Sequence, residues 1–138
     1  MRQYEEIEKL LRKVSSCIKE KGREVLKYSD ITPPQFDLMV KLYFKGEMDQ
    51  TVLSKELYLA KSTVSGILER LEKRSFVKRI KVKEDRRRSR VSLTPKGVSI
   101  IERVIDERVK YIEKLTSNLD KEKLDEFINI LREMEKGL

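Results

Sequence analysis

The chain of 138 residues has room for one hydrophobic core, and its longest unbroken apolar run, residues 57–60, is too short for a membrane span or a signal-peptide core, so a cytoplasmic protein is expected. A single cysteine, no histidine and five scattered glycines exclude structural zinc, histidine-dependent catalysis and phosphate-cradling loops, so no enzyme, metal or cofactor is expected. The net charge of +8 is uneven: residues 48–97 hold 14 bases and six acids while the flanks balance, which points to a polyanion-binding segment carried on neutral scaffold.

Residues 4–28 carry Ile7, Leu10, Leu11, Val14, Cys17, Ile18 and Val25 at three- and four-residue steps. That period predicts a long amphipathic helix, which Gly22 weakens or bends at a cost of about 1 kcal/mol. A second helix has a defined start. Thr32 caps it, Pro33 fits its first turn and Gln35 stands at the capping-box position. Phe36, Met39, Val40 and Tyr43 give its apolar face, and Lys45-Gly46 its end.

Asp49 is placed to cap a short helix that buries Val52, Leu53 and Leu57. After a turn at 58–60, another helix runs from Lys61 to about Arg74, with Val64, Ile67, Leu68 and Leu71 inward. Two short helices joined by a tight turn form the helix-turn-helix pattern, whose second member is offered to a groove. A plain helical hairpin in a bundle is the competing reading, and the outward Lys, Ser, Thr and Arg side chains weigh against it.

From Phe76 the period changes to two. Val77, Ile80 and Val82, then Val91 and Leu93, fall among basic residues, and Glu84-Asp85-Arg86-Arg87-Arg88-Ser89 is too polar to be buried. This predicts a β-hairpin wing with a cationic tip. Three successive arginines repel one another unless an anion faces them, which favours nucleic acid over solvent. Thr94-Pro95 then opens a long helix with Ile101, Val104, Ile105, Arg108, Ile112 and Leu115 on its stripe. A last helix after Asp120 carries Leu124, Phe127, Ile128, Leu131 and Met134. The terminal helices offer more apolar face than a small winged helix covers, so a homodimer is expected, with an intramolecular bundle as the alternative.

The ordered set Thr32-Pro33-Pro34-Gln35-Phe36, Leu53, Leu57, Leu59, Lys61-Ser62-Thr63-Val64-Ser65, Leu71-Glu72, Asp85-Arg86-Arg87 and Leu93-Thr94-Pro95-Lys96-Gly97 resembles the MarR family of winged-helix transcriptional regulators. The resemblance implies a mainly α fold with a small β-hairpin wing (α+β). Residues 1–30 and 98–138 would be dimerisation helices, and 31–97 a winged helix-turn-helix lobe, all within one MarR-like domain. It also implies a homodimeric regulator, a repressor by expectation, on pseudo-palindromic double-stranded DNA, with release by a small aromatic or phenolic effector.

By the same resemblance, Lys61, Ser62, Thr63, Ser65 and Arg70 face the major groove. Arg87 enters the minor groove, flanked in the wing by Arg86 and Arg88, with Asp85 steadying the wing through a salt bridge. Lys81, Lys83 and Arg90 are expected on phosphates. Ser75 stands where the family usually has glycine, which predicts a strained left-handed turn. Ala60 offers no side-chain cap, which lets the helix start slip to Ser62. Two other functions compete with this one: a winged-helix module for protein or RNA, and a peroxide sensor built on Cys17. The position of Cys17 on the apolar stripe, without a second cysteine, favours an inert thiol.

Overall fold

The computed structural model describes residues 1–138. Its elements run α1 (Arg2–Arg23), a single 3-10 turn (Glu24–Leu26), α2 (Pro33–Lys45), β1 (Met48–Asp49), α3 (Gln50–Leu57), α4 (Lys61–Lys73), β2 (Val77–Lys81), β3 (Ser89–Leu93), α5 (Pro95–Leu115) and α6 (Lys121–Glu135). The fold is mainly helical with a small antiparallel sheet, as expected.

The helix starts follow their caps. Thr32 Oγ1 accepts from the Gln35 N–H at 3.3 Å and Gln35 Oε1 accepts from the Thr32 N–H at 3.2 Å, completing the capping box of α2. Asp49 caps α3 through the Thr51 N–H, and Asp120 caps α6 through the Lys123 N–H. Gly46, at φ +82°, closes α2. The first helix is shorter than its periodicity predicts. It stops at Arg23 just past Gly22, and the 3-10 turn carries the chain on to Leu26.

The chain forms two compact units, Arg23–Ile105 and a terminal unit of Met1–Gly22 with Asp106–Leu138. All the buried hydrophobic side chains belong to the first unit. Leu38, Met39, Leu53, Leu68 and Leu71 are fully buried there, each contributing about 1.5–3 kcal/mol. Residues just outside the 31–97 lobe also enter this core: Leu26 on one side, Ile100, Ile101 and Val104 on the other. Val52 does not join it. Leu53 and Ser54 take the inward face of α3 and leave Val52 47% exposed.

The sheet has the order β1-β3-β2, with Met48 opposite Val91, Val77 opposite Leu93 and Arg79 opposite Val91. Two details differ from the expected hairpin. Ile80 is half exposed because strand alternation puts Val77 and Arg79 on one face, and Arg79 satisfies that position by pairing with Glu72 at 3.0 Å. Ser89, expected in the loop, is the first residue of β3.

The return from sheet to helix explains the Leu93-Thr94-Pro95-Lys96-Gly97 run. Thr94 Oγ1 donates to the Ser75 carbonyl at 2.5 Å and accepts from the Gly97 N–H at 3.1 Å, while the Thr94 N–H donates to the Phe76 carbonyl. A Cβ on Gly97 would collide with that Phe76 carbonyl oxygen, so only glycine fits.

The terminal unit is different in character. Tyr4, Ile7, Leu10, Leu11 and Val14 on α1, Val109, Ile112 and Leu115 on α5, and Phe127, Ile128, Ile130, Leu131 and Met134 on α6 are all exposed, and α6 buries no residue.

Candidate nucleic-acid interface

The helix pair α3–α4 is joined by Tyr58, which closes α3 in the left-handed region at φ +55°. Ala60 is the N-cap of α4 and contributes no side-chain bond, yet the helix begins at Lys61 and does not slip to Ser62. The Val64 N–H donates to the Ala60 carbonyl at 3.1 Å, which holds the first turn. With Val64, Ile67, Leu68 and Leu71 inward, Lys61, Ser62, Thr63 and Arg70 are exposed and Ser65 half-buried. Gly66, half-buried beside Ser65, has open space where a Cβ would be. A lone mid-helix glycine carried no sequence signal of that space.

Ser75 ends α4 in a Schellman motif. Its φ is +63°, its N–H donates to the Glu72 carbonyl at 3.0 Å, and the Phe76 N–H donates to the Leu71 carbonyl at 2.9 Å. The left-handed turn expected at this non-glycine residue is present, at a conformational cost of about 1 kcal/mol.

The hairpin tip is closed by backbone bonds from Val82 to Arg88 and from Arg88 to Asp85. Asp85 works differently from the expected salt bridge: its Oδ1 accepts from the Arg87 backbone N–H at 3.0 Å, an Asx turn that shapes the tip. Lys81 Nζ donates to the Arg86 carbonyl at 3.3 Å.

Beside the Arg79–Glu72 pair of β2, the wing has two ion pairs, one just before β3 and one on it. Arg88 Nε meets Asp49 at 2.8 Å and Arg90 Nε meets Glu47 at 3.3 Å, with a second Arg90 bond to the Glu47 carbonyl. The hydrogen bond from Arg88, ahead of the opposing effect of burial, lowers the Asp49 carboxyl below the ordinary aspartate range, and the same contact raises Arg88. These pairs span about forty residues of sequence and were invisible in it. They leave Arg86 and Arg87 as the two tip arginines whose side chains pair with nothing, and Lys61, Arg70 and Lys83 are likewise free of ion pairs. Exposed, unpaired cations on a helix start and a loop tip suit phosphates and groove edges. Cys17 lies elsewhere, half-buried on α1.

The MarR family profile matches residues 31–89. The chain is 38% identical over 130 residues to YsmB of Bacillus subtilis, an HTH-type transcriptional regulator, covering 94% of this chain and 89% of that protein. It is 40% identical to the solved transcriptional regulator Tm0710 from Thermotoga maritima, with a TM-score of 0.83 over 96% of this chain and 93% of that one. A mutant of MepR from S. aureus, solved bound to an oligodeoxyribonucleotide, is 26% identical with a TM-score of 0.73, covering 95% and 96% of the two chains.

Proposed function

The chain belongs to the MarR family of DNA-binding transcriptional regulators, which are not enzymes, and we propose that it acts in the cytoplasm as a homodimeric repressor on a pseudo-palindromic operator. In this reading Lys61, Ser62, Thr63, Ser65 and Arg70 meet the major groove from the exposed side of α4. Arg87 enters the minor groove, where A·T sequence narrows the groove and deepens its negative potential. Arg86, Lys81 and Lys83 take phosphates. Arg88 and Arg90 serve first to hold the wing, and meet the duplex only with the charge that their acids leave.

The observation that carries the reading is the pairing pattern of the wing: Arg88 and Arg90 are fixed to Asp49 and Glu47, and Arg86 and Arg87 at the tip are left free. The MepR complex adds that a relative of the same fold binds an oligodeoxyribonucleotide. Homodimerisation is supported by the exposed apolar side chains of α1, α5 and α6, far more apolar surface than a monomer ordinarily leaves to solvent. Release by a small aromatic or phenolic effector is carried over from the family.

Two experiments test the proposal. Selection from a random duplex pool should recover an inverted repeat, and light scattering at micromolar concentration should give twice the chain mass. A pool that stays random, or a monomer mass, would refute it.

A further inference from the structure

A second cationic cluster lies in the Arg23–Ile105 unit, at the base of β2 and β3 and not at the wing tip. Ser29, Arg74, Phe76, Lys96, Ser99 and Arg103 line an open cavity of about 350 Å³. Arg74 is the residue that ends α4, and Lys96, Ser99 and Arg103 stand at three- and four-residue steps along one face of α5. Two cations share one ring: Lys96 Nζ lies 4.5 Å and the Arg74 guanidinium carbon 5.1 Å from the Phe76 centroid. Lys96 Nζ donates to the Arg74 carbonyl at 2.8 Å, and Arg74 donates to the Ser29 carbonyl. These bonds fix both side chains without neutralising either. No acidic residue lines the cavity, and none of Arg74, Lys96 and Arg103 forms an ion pair, whereas Arg79, Arg88 and Arg90 all do. Three positive charges converging on one concavity repel one another, and an anion among them reverses the sign of that interaction.

We propose that this cavity binds inorganic phosphate. Lys96 and Arg103 supply its charged contacts, the Ser99 hydroxyl donates to it, and Arg74 adds positive potential from the end of α4. Arg103 has no competing partner, so its planar fork is free to engage two oxygens. The site includes none of the residues assigned to DNA. At about 1.5 Å of rise per residue, Arg74 lies roughly 20 Å along α4 from Lys61 and roughly 6 Å past Arg70, the last of those residues on the helix. That distinction rests on the proposed reading, in which the start of α4 meets the duplex.

The test is a calorimetric titration of the full-length protein with inorganic phosphate, against chloride at matched ionic strength. It compares wild type, Arg103→Ala and Arg103→Lys, and measures duplex affinity in phosphate-free buffer in parallel. The expected result is saturable phosphate binding that Arg103→Ala weakens about tenfold and Arg103→Lys largely restores, with duplex affinity unchanged in both. Phosphate heats no different from chloride, or equal phosphate affinity in wild type and Arg103→Ala, would overturn the site. So would an Arg103→Lys protein no better than Arg103→Ala. A loss of duplex affinity in Arg103→Ala as large as that in Arg87→Ala would assign the cluster to the nucleic-acid backbone instead. Failure of the inverted-repeat selection with phosphate binding intact would sink the DNA reading and leave this site standing.

Discussion

Arg88 Nε donates to Asp49 Oδ2 at 2.8 Å while Asp49 Oδ1 accepts from the Thr51 N–H at 2.8 Å, so a single carboxylate ties the wing to the first turn of α3. The helix-turn-helix and the wing are thereby held by the same residue, 39 positions from Arg88 in the chain. Asp49→Asn keeps an N-cap acceptor and removes the ion pair. It should lower Tm slightly, by the contribution of that pair at neutral pH, and lower duplex affinity toward that of Arg87→Ala. Asp49→Ala removes the cap as well and should cost about 1 kcal/mol of stability. Thermal melts and fluorescence anisotropy on the same preparations separate the two effects. An Asp49→Asn protein that binds DNA as wild type does would show that the wing needs no such tie.

The same contact sets a pH dependence. The guanidinium holds the Asp49 carboxyl below its ordinary value, so the stability it contributes is complete at neutral pH and remains so down to the unfolded-state value near pH 4. It is lost as pH falls further, through the lower folded-state value. Wild type should therefore lose stability relative to Asp49→Asn only below about pH 4, as read by urea melts across pH 3–7. A difference that grows between pH 5 and 7 would contradict the assignment.

At the wing tip, Arg87 has no protein partner for its side chain, whereas Arg12 on α1 pairs with Glu8 at 2.8 Å on an exposed helix face. Arg87→Ala should weaken specific duplex binding by about 1–3 kcal/mol, and Arg12→Ala should not change it. Equal effects in an anisotropy titration would remove Arg87 from the groove.

Gly66 offers a prediction with opposite signs. A Cβ there meets open space in the free protein, so Gly66→Ala should raise stability by about 0.5–1 kcal/mol through helix propensity. In the proposed reading the same methyl stands on the side of α4 that meets the duplex, so affinity should fall. A variant that is more stable and binds equally well would mean that the backbone at Gly66 stays clear of DNA.

Two substitutions probe the turn after α4. Ser75→Gly relieves a left-handed residue and should stabilise the protein by about 0.5–1 kcal/mol, while Gly97→Ala drives a Cβ into the Phe76 carbonyl and should destabilise it by about 1–3 kcal/mol. Differential scanning calorimetry reads both, and a neutral Gly97→Ala would mean that α5 shifts freely against β2.

Much of this fold was legible because local chemistry decides it. Thr32, Asp49 and Asp120 cap helices by bonds to residues two or three places on, and the inward face of α4 follows a 3.6-residue period. Wherever tertiary contacts decide, the pattern misled. Arg79 occupies an inward strand position that alternation assigns to an apolar side chain, because Glu72 is there to receive it. β1 has two residues, too few to show a period, and exists because β3 pairs with it. Val52 reads as core by composition but faces solvent because Leu53 and Ser54 take the inward side. The cationic character of the candidate interface was plain in the charge count. The division of its arginines into those that brace the wing and those left unpaired was not, since Asp49 and Glu47 precede the wing by some forty residues.

The salt dependence of duplex affinity tests the central claim most directly. Fluorescence anisotropy on the selected inverted repeat, between about 50 and 200 mM salt, should show affinity falling about a thousandfold or more, as expected for six or more phosphate contacts. An affinity that barely moves over that range, or one equal for the selected and a scrambled duplex, would contradict a cationic helix and wing that read DNA.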